Sequence, residues 1–278
     1  GYVVGDGGTV LKTTNGGATW APLASGTGNA LYDLAFTDPV PGWVCGISGT
    51  MRNTTNGATW VGQFVPTVFA LFGIDFATAT TGWTVGASGT IEKTTTGGVV
   101  WFPQTSGTGR FLSGVDAFDA THGVIVGEAG TALFTDDGTN WAAGVTGTPQ
   151  YLYDVALVSP TTGWFCGDRG RIKRTSDGGR TWECQGTPTA STLHGIDFPS
   201  PLRGYAVGSG GTIVALRVVG LGRAEETIAG LGDVGNNGLM EFFQSQPAAF
   251  AHLAWLQIPF PAYNAANGET RPACGDVD

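Results

Sequence analysis

Residues 163–182 read GWFCGDRGRIKRTSDGGRTW, in which short β-prone segments alternate with glycine turns. The pattern returns along the chain every 40 or 41 residues. Its first glycines are Gly1, Gly42, Gly82, Gly123, Gly163 and Gly204, and its last tryptophans are Trp20, Trp60, Trp101, Trp141 and Trp182. A period near 40 residues with several short strands in each unit is typical of the blades of a β-propeller.

One unit, residues 31–64, shows what each blade contains. Four segments alternate with turns, and they read LYDLAF, GWVCG, TMRNTT and TWVGQF. The first two alternate poorly between apolar and polar residues, as expected for strands that neighbouring blades cover on both sides, whereas the last two alternate better. We therefore predict an all-β fold, a β-propeller of four-stranded antiparallel blades.

The spacing also predicts how the strands divide into blades. We expect three strands of a first blade, then four complete blades, then three strands of another, in residues 1–24, 29–64, 69–104, 110–145, 150–187 and 193–218. Six blades are thus visible, and we expect six or seven in the intact protein. Because the first residues already lie inside a repeat, we expect a longer precursor whose upstream sequence supplies the missing edge strand.

The composition limits the classes of partner. The 278 residues carry a formal net charge of −9 at pH 7. An acidic surface repels phosphate backbones, so we expect no nucleic-acid partner. No apolar stretch reaches the roughly 18 residues that a membrane-spanning helix needs. The sequence leaves the oligomeric state open.

The phrase TSDGGRTW resembles the Asp-box, or BNR repeat, and the whole unit resembles the Ycf48/HCF136 group of photosystem II stability and assembly factor-like propellers. The resemblance covers roughly residues 1–218. It implies a propeller that contacts a partner through an arginine-rich surface. Asp-boxes also occur in sialidases, in some xyloglucan-degrading glycosidases and in sorting receptors of the sortilin type, so the phrase alone names no function.

The chemistry of the phrase favours a structural role. Thr175 and Asp177 can bond to backbone N–H groups of their own turn, and Trp182 can pack back across the hairpin. The acidic position is Asn or Thr in several units, and Asn keeps a turn-bonding side chain. We interpret the phrase as a turn clamp formed by Asp137, Asp177, Trp20, Trp60, Trp101, Trp141 and Trp182.

Basic residues concentrate in one blade. Five of the thirteen lie within twelve positions, namely Arg169, Arg171, Lys173, Arg174 and Arg180. Alternation along residues 171–175 places Arg171 and Lys173 on one face and Arg174 on the other. On an acidic protein, this patch could dock an acidic partner or a carboxylate group. The alternative is a solvated blade face whose basic residues pair with nearby acids.

Aspartates recur in the first strand of the blades. They are Asp75, Asp116 and Asp197, with Asp33 and Asp154 two positions earlier in the other blades. If this strand is innermost, the carboxyls lie around the channel. Two facing carboxylates could act as an inverting glycosidase pair. Their repetition favours the other interpretation, hydrogen bonding between adjacent blades.

The residues that we expect at the mouth of the channel differ from blade to blade. They are Tyr32, Phe72, Ser113, Tyr153 and His194. An aromatic ring there could stack on a sugar or a peptide side chain, or pack between blades. The sequence offers His194 no evident Ser or Cys partner, so it gives little support for nucleophilic catalysis.

The period breaks after about residue 218. Residues 219–278 resemble the start of an FG-GAP/VCBS-like repeat, in which a G-D-V-D-G-D-G loop binds calcium. The chain supplies only Asp276 and Asp278 of that loop, and two carboxylates cannot satisfy the six to eight oxygens that calcium favours. We therefore expect no cofactor in the propeller and calcium only in an intact C-terminal module. The alternative is an irregular acidic tail.

These observations favour a non-catalytic interaction scaffold that binds a protein or glycan partner. The FG-GAP-like resemblance implies a larger, exported bacterial protein in the cell envelope or outside the cell. Two alternatives stay open at this point. One is a glycan-processing hydrolase of sialidase or xyloglucanase type, and the other is a photosystem II assembly factor.

Overall fold

The structure is a computed structural model that describes residues 1–37 and 39–217. Within them, β-strands follow one another with short turns between them. Numbered along the chain, the strands are β1 (Tyr2–Gly5), β2 (Thr9–Lys12), β3 (Ala21–Ala24), β4 (Leu31–Phe36), β5 (Gly42–Gly46), β6 (Met51–Thr54), β7 (Val61–Gly62), β8 (Leu71–Phe76), β9 (Gly82–Gly86), β10 (Ile91–Thr94), β11 (Phe102–Gln104), β12 (Leu112–Ala117), β13 (Gly123–Gly127), β14 (Ala132–Thr135), β15 (Ala142–Ala143), β16 (Leu152–Leu157), β17 (Gly163–Gly167), β18 (Ile172–Thr175), β19 (Glu183–Gln185), β20 (Leu193–Ser200), β21 (Arg203–Gly208) and β22 (Thr212–Arg217).

Consecutive strands form six antiparallel sheets. The first sheet, β1–β3, and the last, β20–β22, have three strands, and the four between them, β4–β7, β8–β11, β12–β15 and β16–β19, have four. The predicted all-β propeller with six visible blades is thereby confirmed, and we number the blades 1 to 6 in chain order. The predicted C-terminal module, residues 219–278, lies outside the described residues, and Asp276 and Asp278 lie there with it.

The first strand of each of blades 2 to 6 is innermost. Strands β4, β8, β12, β16 and β20 contact one another in that order and line the central channel. Adjacent inner strands approach so closely that a Cβ on Gly114 would lie 3.0 Å from the backbone of Asp154. Glycine at this position therefore allows the close packing.

Aromatic stacking joins one blade to the next. The Trp43 ring of blade 2 stacks on Phe76 of blade 3 with 3.5 Å between centroids, and Trp164 of blade 5 stacks on Phe198 of blade 6 at 4.2 Å. Trp101, the tryptophan that ends the repeated unit of blade 3, packs edge-on against Phe76 with 5.9 Å between centroids. The core thus lies between blades, and this explains why the second strand is buried throughout its length.

The propeller has two faces. The inner strands begin at one face, where a 3-10 turn also joins the second and third strands of each blade, as at residues 47–49. We call it the mouth face. The third strands end at the opposite face. This face carries the turns equivalent to residues 175–182, and we call it the turn face. Helical segments in the described part of the chain are limited to three-residue 3-10 turns, none of which could cross a bilayer.

Candidate functional site

Hydrogen bonds that stay within residues 175–182 hold the turn of blade 5. Thr175 Oγ1 donates to Asp177 Oδ1 at 2.8 Å and accepts from Gly179 N at 2.9 Å. Asp177 Oδ1 also accepts from Thr181 N at 2.9 Å. These bonds place Asp177 in a structural turn, and no ligand is needed to explain its position.

Other blades keep an acceptor at the same position. In blade 1, Asn15 Oδ1 accepts from Thr19 N at 2.9 Å. In blade 4, the backbone and side-chain amides of Asn140 hold the pKa of the Asp137 carboxyl well below its usual value. The tryptophans that close the turns pack inward: Trp60, Trp101 and Trp182 are buried, and Trp20 and Trp141 are half-buried.

The five basic residues of the predicted patch do not share one surface, because Lys173 is buried. Its residue is only 5% exposed, and its Nζ donates to the carbonyl oxygens of Thr146 at 2.5 Å and Gly147 at 3.2 Å. Placing Lys173 on an exposed face with Arg171 is therefore wrong. Alternation along one strand does not show which face is exposed, and neighbouring blades cover both faces of this third strand.

Two other arginines of the patch also contact neighbouring side chains, Arg180 those of blade 4 and Arg174 one in its own blade. Arg180, on the turn face, forms an ion pair with Asp136, and its guanidinium lies 4.6 Å from the ring centre of Phe134. The guanidinium of Arg174 lies 5.5 Å from the ring centre of Trp164. These contacts join strands within blade 5 and join blade 5 to blade 4.

Arg169 and Arg171 lie near the mouth face. Arg169 is exposed in the 3-10 turn Asp168–Gly170, with a left-handed φ of 58°, and Arg171 is half-buried just before β18. Arg169 and Arg180 thus stand at opposite faces of the propeller. Docking of a partner on the arginines stays a prediction, and on the mouth face it involves Arg169.

The second residue of the third strand differs between blades, and this difference was not predicted. In blade 2 it is Arg52, which donates to Gly26 O at 2.5 Å, much as Lys173 does in blade 5. In blade 3 it is Glu92, which is 2% exposed and whose Oε2 has no hydrogen-bond partner among the described residues. Burial raises the pKa of Glu92 to about 7. Aligning the repeats residue by residue would have revealed this acid.

A β-bulge interrupts every inner strand at the same place. In β4 the register shifts between Leu31 and Asp33, and equivalent shifts occur in β8, β12, β16 and β20. A bulge leaves one residue out of the ladder and re-aims its side chain. The bulged residues are those predicted at the channel mouth: Tyr32, Phe72, Ser113, Tyr153 and His194.

Aromatic rings form a continuous row across blades 2 to 4. The centroid of Tyr32 lies 5.5 Å from that of Phe72, which lies 5.8 Å from that of Phe111. Tyr32 and Phe111 are each 44% exposed. Phe111 directly precedes an inner strand and was not predicted to lie at the mouth. The equivalent residue in blade 5, Tyr151, is also aromatic, and this recurrence was the available signal.

Blades 5 and 6 complete the mouth with polar aromatic groups. Tyr153 stacks on Tyr151 at 4.7 Å and meets the His194 ring at 4.8 Å. The Tyr153 hydroxyl donates to Asp168 Oδ1 at 3.2 Å. His194 Nε2 lies 2.9 Å from Ser209 Oγ, so the expectation that it lacks a serine partner is wrong. The two residues are distant in sequence and meet through strand pairing of β20 with β21.

The inner-strand carboxylates accept hydrogen bonds from the next blade. The donor always lies one residue after the position that matches the aspartate on the adjacent inner strand. For Asp33, for example, the matching residue is Gly73 and the donor is Ile74 N. The bonds are Ile74 N to Asp33 Oδ2 at 2.9 Å, Ala117 N to Asp75 Oδ2 at 2.8 Å, Leu157 N to Asp116 Oδ2 at 2.6 Å and Ile196 N to Asp154 Oδ2 at 2.9 Å. Asp197 accepts from Phe198 N of its own strand at 2.7 Å. This geometry is the inter-blade bonding that the repetition predicts.

Burial makes these carboxyls hard to ionise together. It raises the pKa of Asp33 to about 7 and that of Asp154 to about 6, and neighbouring carboxylates add to both shifts. Burial also raises the pKa of Asp75, and burial together with the charge of Asp75 raises that of Asp116. Within residues 1–37 and 39–217, no cluster of three or more His, Cys, Asp or Glu side chains is arranged to hold a metal ion.

Comparisons with known proteins bear on the fold. No protein-family model matches the chain, and no curated protein sequence matches it. A solved structure titled "YCF48 bound to D1 peptide" is similar, with 22% identity, a TM-score of 0.54, and coverage of 67% of this chain and 63% of that chain. The present chain therefore spans less than two thirds of that relative.

Other solved structures of the same kind are more distant in sequence. The WD40 repeats of RRP9 share 10% identity, with a TM-score of 0.67 and coverage of 78% of this chain and 72% of that one. Virginiamycin B lyase from Staphylococcus aureus shares 13% identity, with a TM-score of 0.56 and coverage of 78% and 83%. Likeness at these identities shows the fold, and binding proteins and an enzyme both have it. The chain has the β-propeller fold, as the repeat predicts.

Proposed function

We propose that the chain is a non-catalytic interaction scaffold that binds a protein partner across its channel mouth. The observation that carries the proposal is the repeated β-bulge, which turns one side chain of each inner strand to the mouth face. Three of those positions are aromatic, and Phe111 extends the row. Exposed, contiguous aromatic surface is typical of protein-binding sites.

The inner-strand carboxylates support binding over glycoside hydrolysis. Four of them already accept a backbone N–H from the neighbouring blade, so their positions have a structural cause. A hydrolase needs one carboxylate to donate a proton and another to activate water or attack, and that requires an asymmetric pair. The Ycf48 structure with a D1 peptide offers a precedent for peptide binding by a propeller of this fold.

The cellular setting is part of the proposal. The resemblance of residues 219–278 to an FG-GAP-like module favours a larger protein exported to the envelope or the cell exterior. A photosystem II assembly role would instead rest on the Ycf48 likeness, which at 22% identity is a likeness of fold. The exported scaffold is therefore the function that we propose.

A displayed library of random peptides, selected against the chain, tests the location of binding. We expect the selected peptides to lose binding to a Tyr32→Ser/Phe111→Ser variant. They should keep binding to Val99→Ser, a control on the turn face where Val99 is 76% exposed. Selected peptides that bind the mouth variant as well as the wild type would contradict the proposal.

Activity assays test the non-catalytic part. We expect no release of reducing sugar from xyloglucan and no sialic acid from a sialoside. Hydrolysis that is lost in Asp116→Asn would overturn the scaffold proposal in favour of the glycosidase alternative. A glycan array on the same mouth variant identifies a sugar partner, since binding of a glycan that depends on Tyr32 would replace the protein partner.

A further inference from the structure

The channel wall behind the mouth is acidic. Each of the five innermost strands, all of which are described, carries one aspartate, and none carries Lys or Arg. Four of these aspartates direct one oxygen to an N–H of the adjacent blade. The wall formed by these five strands is therefore a row of carboxyls without a basic side chain in the same strands to balance them.

The carboxyls occur in two tiers. Asp33 and Asp154 stand two residues from the start of their strands, and Asp75, Asp116 and Asp197 stand four residues from it. Since a strand rises about 3.3 Å per residue, the second tier lies about 7 Å deeper in the channel. The first tier follows directly after the bulged Tyr32 and Tyr153. An extended lysine or arginine side chain that enters at the mouth is long enough to reach this tier.

The rim of the channel adds a second attraction for a cation. Tyr32, Phe72 and Phe111 present aromatic rings next to the entrance, and Tyr32 and Phe111 are exposed. Aromatic faces attract ammonium and guanidinium groups, with a larger effect where water is excluded. An aromatic rim above a wall of carboxyls is thus complementary to an organic cation, which favours their ionised forms.

We propose that the channel mouth takes a lysine or arginine side chain of the partner, with its cation directed toward the inner-strand carboxylates and its stem packed on the aromatic row. The inference rests on the proposed function, since it names the chemistry of the partner segment at the same surface. The occupant is a basic peptide segment. We choose a basic segment over an acidic or neutral segment because its charge is complementary to that of the wall carboxylates.

Charged and titratable groups on the surrounding turns also face the entrance. Arg110 donates to Ala129 O at 3.0 Å, and Glu128 Oε2 accepts from Phe111 N at 3.2 Å. Among the described residues, such groups on the mouth-face turns and bulges are Asp6, Tyr32, Arg110, Glu128, Tyr151, Tyr153, Asp168, Arg169, Arg171 and His194. Acids and arginines balance among the turns, so the five inner-strand aspartates set the sign of the channel.

The pKa values of the wall predict how binding depends on pH. Asp33 titrates near pH 7 and Asp154 near pH 6. A bound cation favours their ionised forms, so binding releases protons and strengthens as pH rises through this range. We expect a basic peptide to bind about tenfold more weakly at about pH 5.5 than at about pH 7.5.

The displayed library separates this inference from the proposed function. We expect peptides that depend on Tyr32 and Phe111 to be enriched in Lys and Arg relative to the unselected library. Peptides that depend on the mouth but show no such enrichment overturn the cation inference and leave the scaffold proposal standing. Peptides that bind without the mouth residues overturn both.

A selected basic peptide and the same peptide with its Lys and Arg replaced by Gln then test the wall. Asp197→Asn is the first variant, because among the described residues Asp197 makes no bond to another blade. We expect this substitution to lower the affinity for the basic peptide about fivefold and to leave the affinity for the Gln peptide unchanged. Asp154→Asn, in the first tier, is the second variant, and its amide oxygen can still accept the bond from Ile196 N. Equal affinity of wild type and both variants for the basic peptide would refute the inference.

The pH dependence is measured in the His194→Gln background. His194 also stands at the mouth, next to Tyr153, so its replacement isolates the contribution of the aspartates. An affinity that stays flat between about pH 5.5 and about pH 7.5 in this background would contradict a role for the wall carboxyls.

Discussion

The mouth face and the turn face repeat the same backbone geometry but differ in how far the side chains repeat. On the turn face, Asp177 and Asn15 make the same bond to an N–H four residues further along. On the mouth face, the bulge recurs in every inner strand, yet its residue changes among Tyr, Phe, Ser and His. Side chains repeat where the fold requires a bond and vary where it requires only a backbone shape.

The difference has a physical cause. A turn must satisfy its own N–H groups, so its side-chain acceptor is constrained. A bulged residue is outside the ladder, so its side chain contributes little to the strand pairing and is free to differ. Variation at the bulges is therefore where this propeller can acquire recognition without loss of stability.

The largest effect is expected where the scaffold itself is broken. Trp43 is 1% exposed and stacks on Phe76 at 3.5 Å, so Trp43→Ala removes packing between blades 2 and 3. We expect a loss of about 3–5 kcal/mol in the free energy of unfolding, measured by denaturant titration. Phe102→Ala, at a residue that is 58% exposed, is the matched control and should change it by less than about 0.5 kcal/mol. Equal effects of the two would mean that stacking between blades does not hold the scaffold.

A second prediction concerns the buried acid of blade 3. Glu92 has a pKa of about 7 in the folded chain against an ordinary value of 4.5, because burial disfavours its charged form. Its contribution to stability is complete below about pH 4.5 and is lost as pH rises through about 7. We expect this loss to be about 2–3 kcal/mol.

Glu92→Gln isolates that contribution, since glutamine has the same shape and does not titrate. Asp33 and Asp154 change stability in the same direction, so the quantity to measure is the difference between variant and wild type at each pH. We expect the free energy of unfolding of the variant to increase relative to that of the wild type as pH rises from about 4.5 to about 7.5. A difference that does not vary with pH would show that Glu92 is not desolvated.

Most of the fold follows from the sequence because one unit repeats with a fixed period. The number of visible blades, the innermost strand and the inter-blade bonds of the aspartates could all be predicted from positions that recur. Lys173 could not be placed correctly, because alternation within one strand does not say what covers its two faces. The contact of His194 with Ser209 also depends on pairing between separate strands.

A smaller effect is expected within the turn clamp. Asp177→Ala removes the acceptor for Thr181 N, and we expect it to lower the free energy of unfolding by about 1 kcal/mol. Asp177→Asn keeps an acceptor oxygen, as Asn15 does in blade 1, and should cost less than about 0.5 kcal/mol. Denaturant titration of both variants makes the comparison. If asparagine proved as costly as alanine, the negative charge rather than the acceptor would be what the turn needs.

The smallest effect on stability is expected at the mouth, where the effect on binding is largest. Tyr32 is 44% exposed and lies in a bulge, so Tyr32→Ser removes little buried surface. We expect the free energy of unfolding to change by less than about 0.5 kcal/mol, while affinity for a mouth-dependent peptide falls at least about tenfold. Leu31→Ser changes the neighbouring residue, which is 2% exposed, and should lower stability by several times as much. If Tyr32→Ser destabilised the chain as strongly as Leu31→Ser, the bulged residues would belong to the scaffold, and the contrast between the two faces would fail.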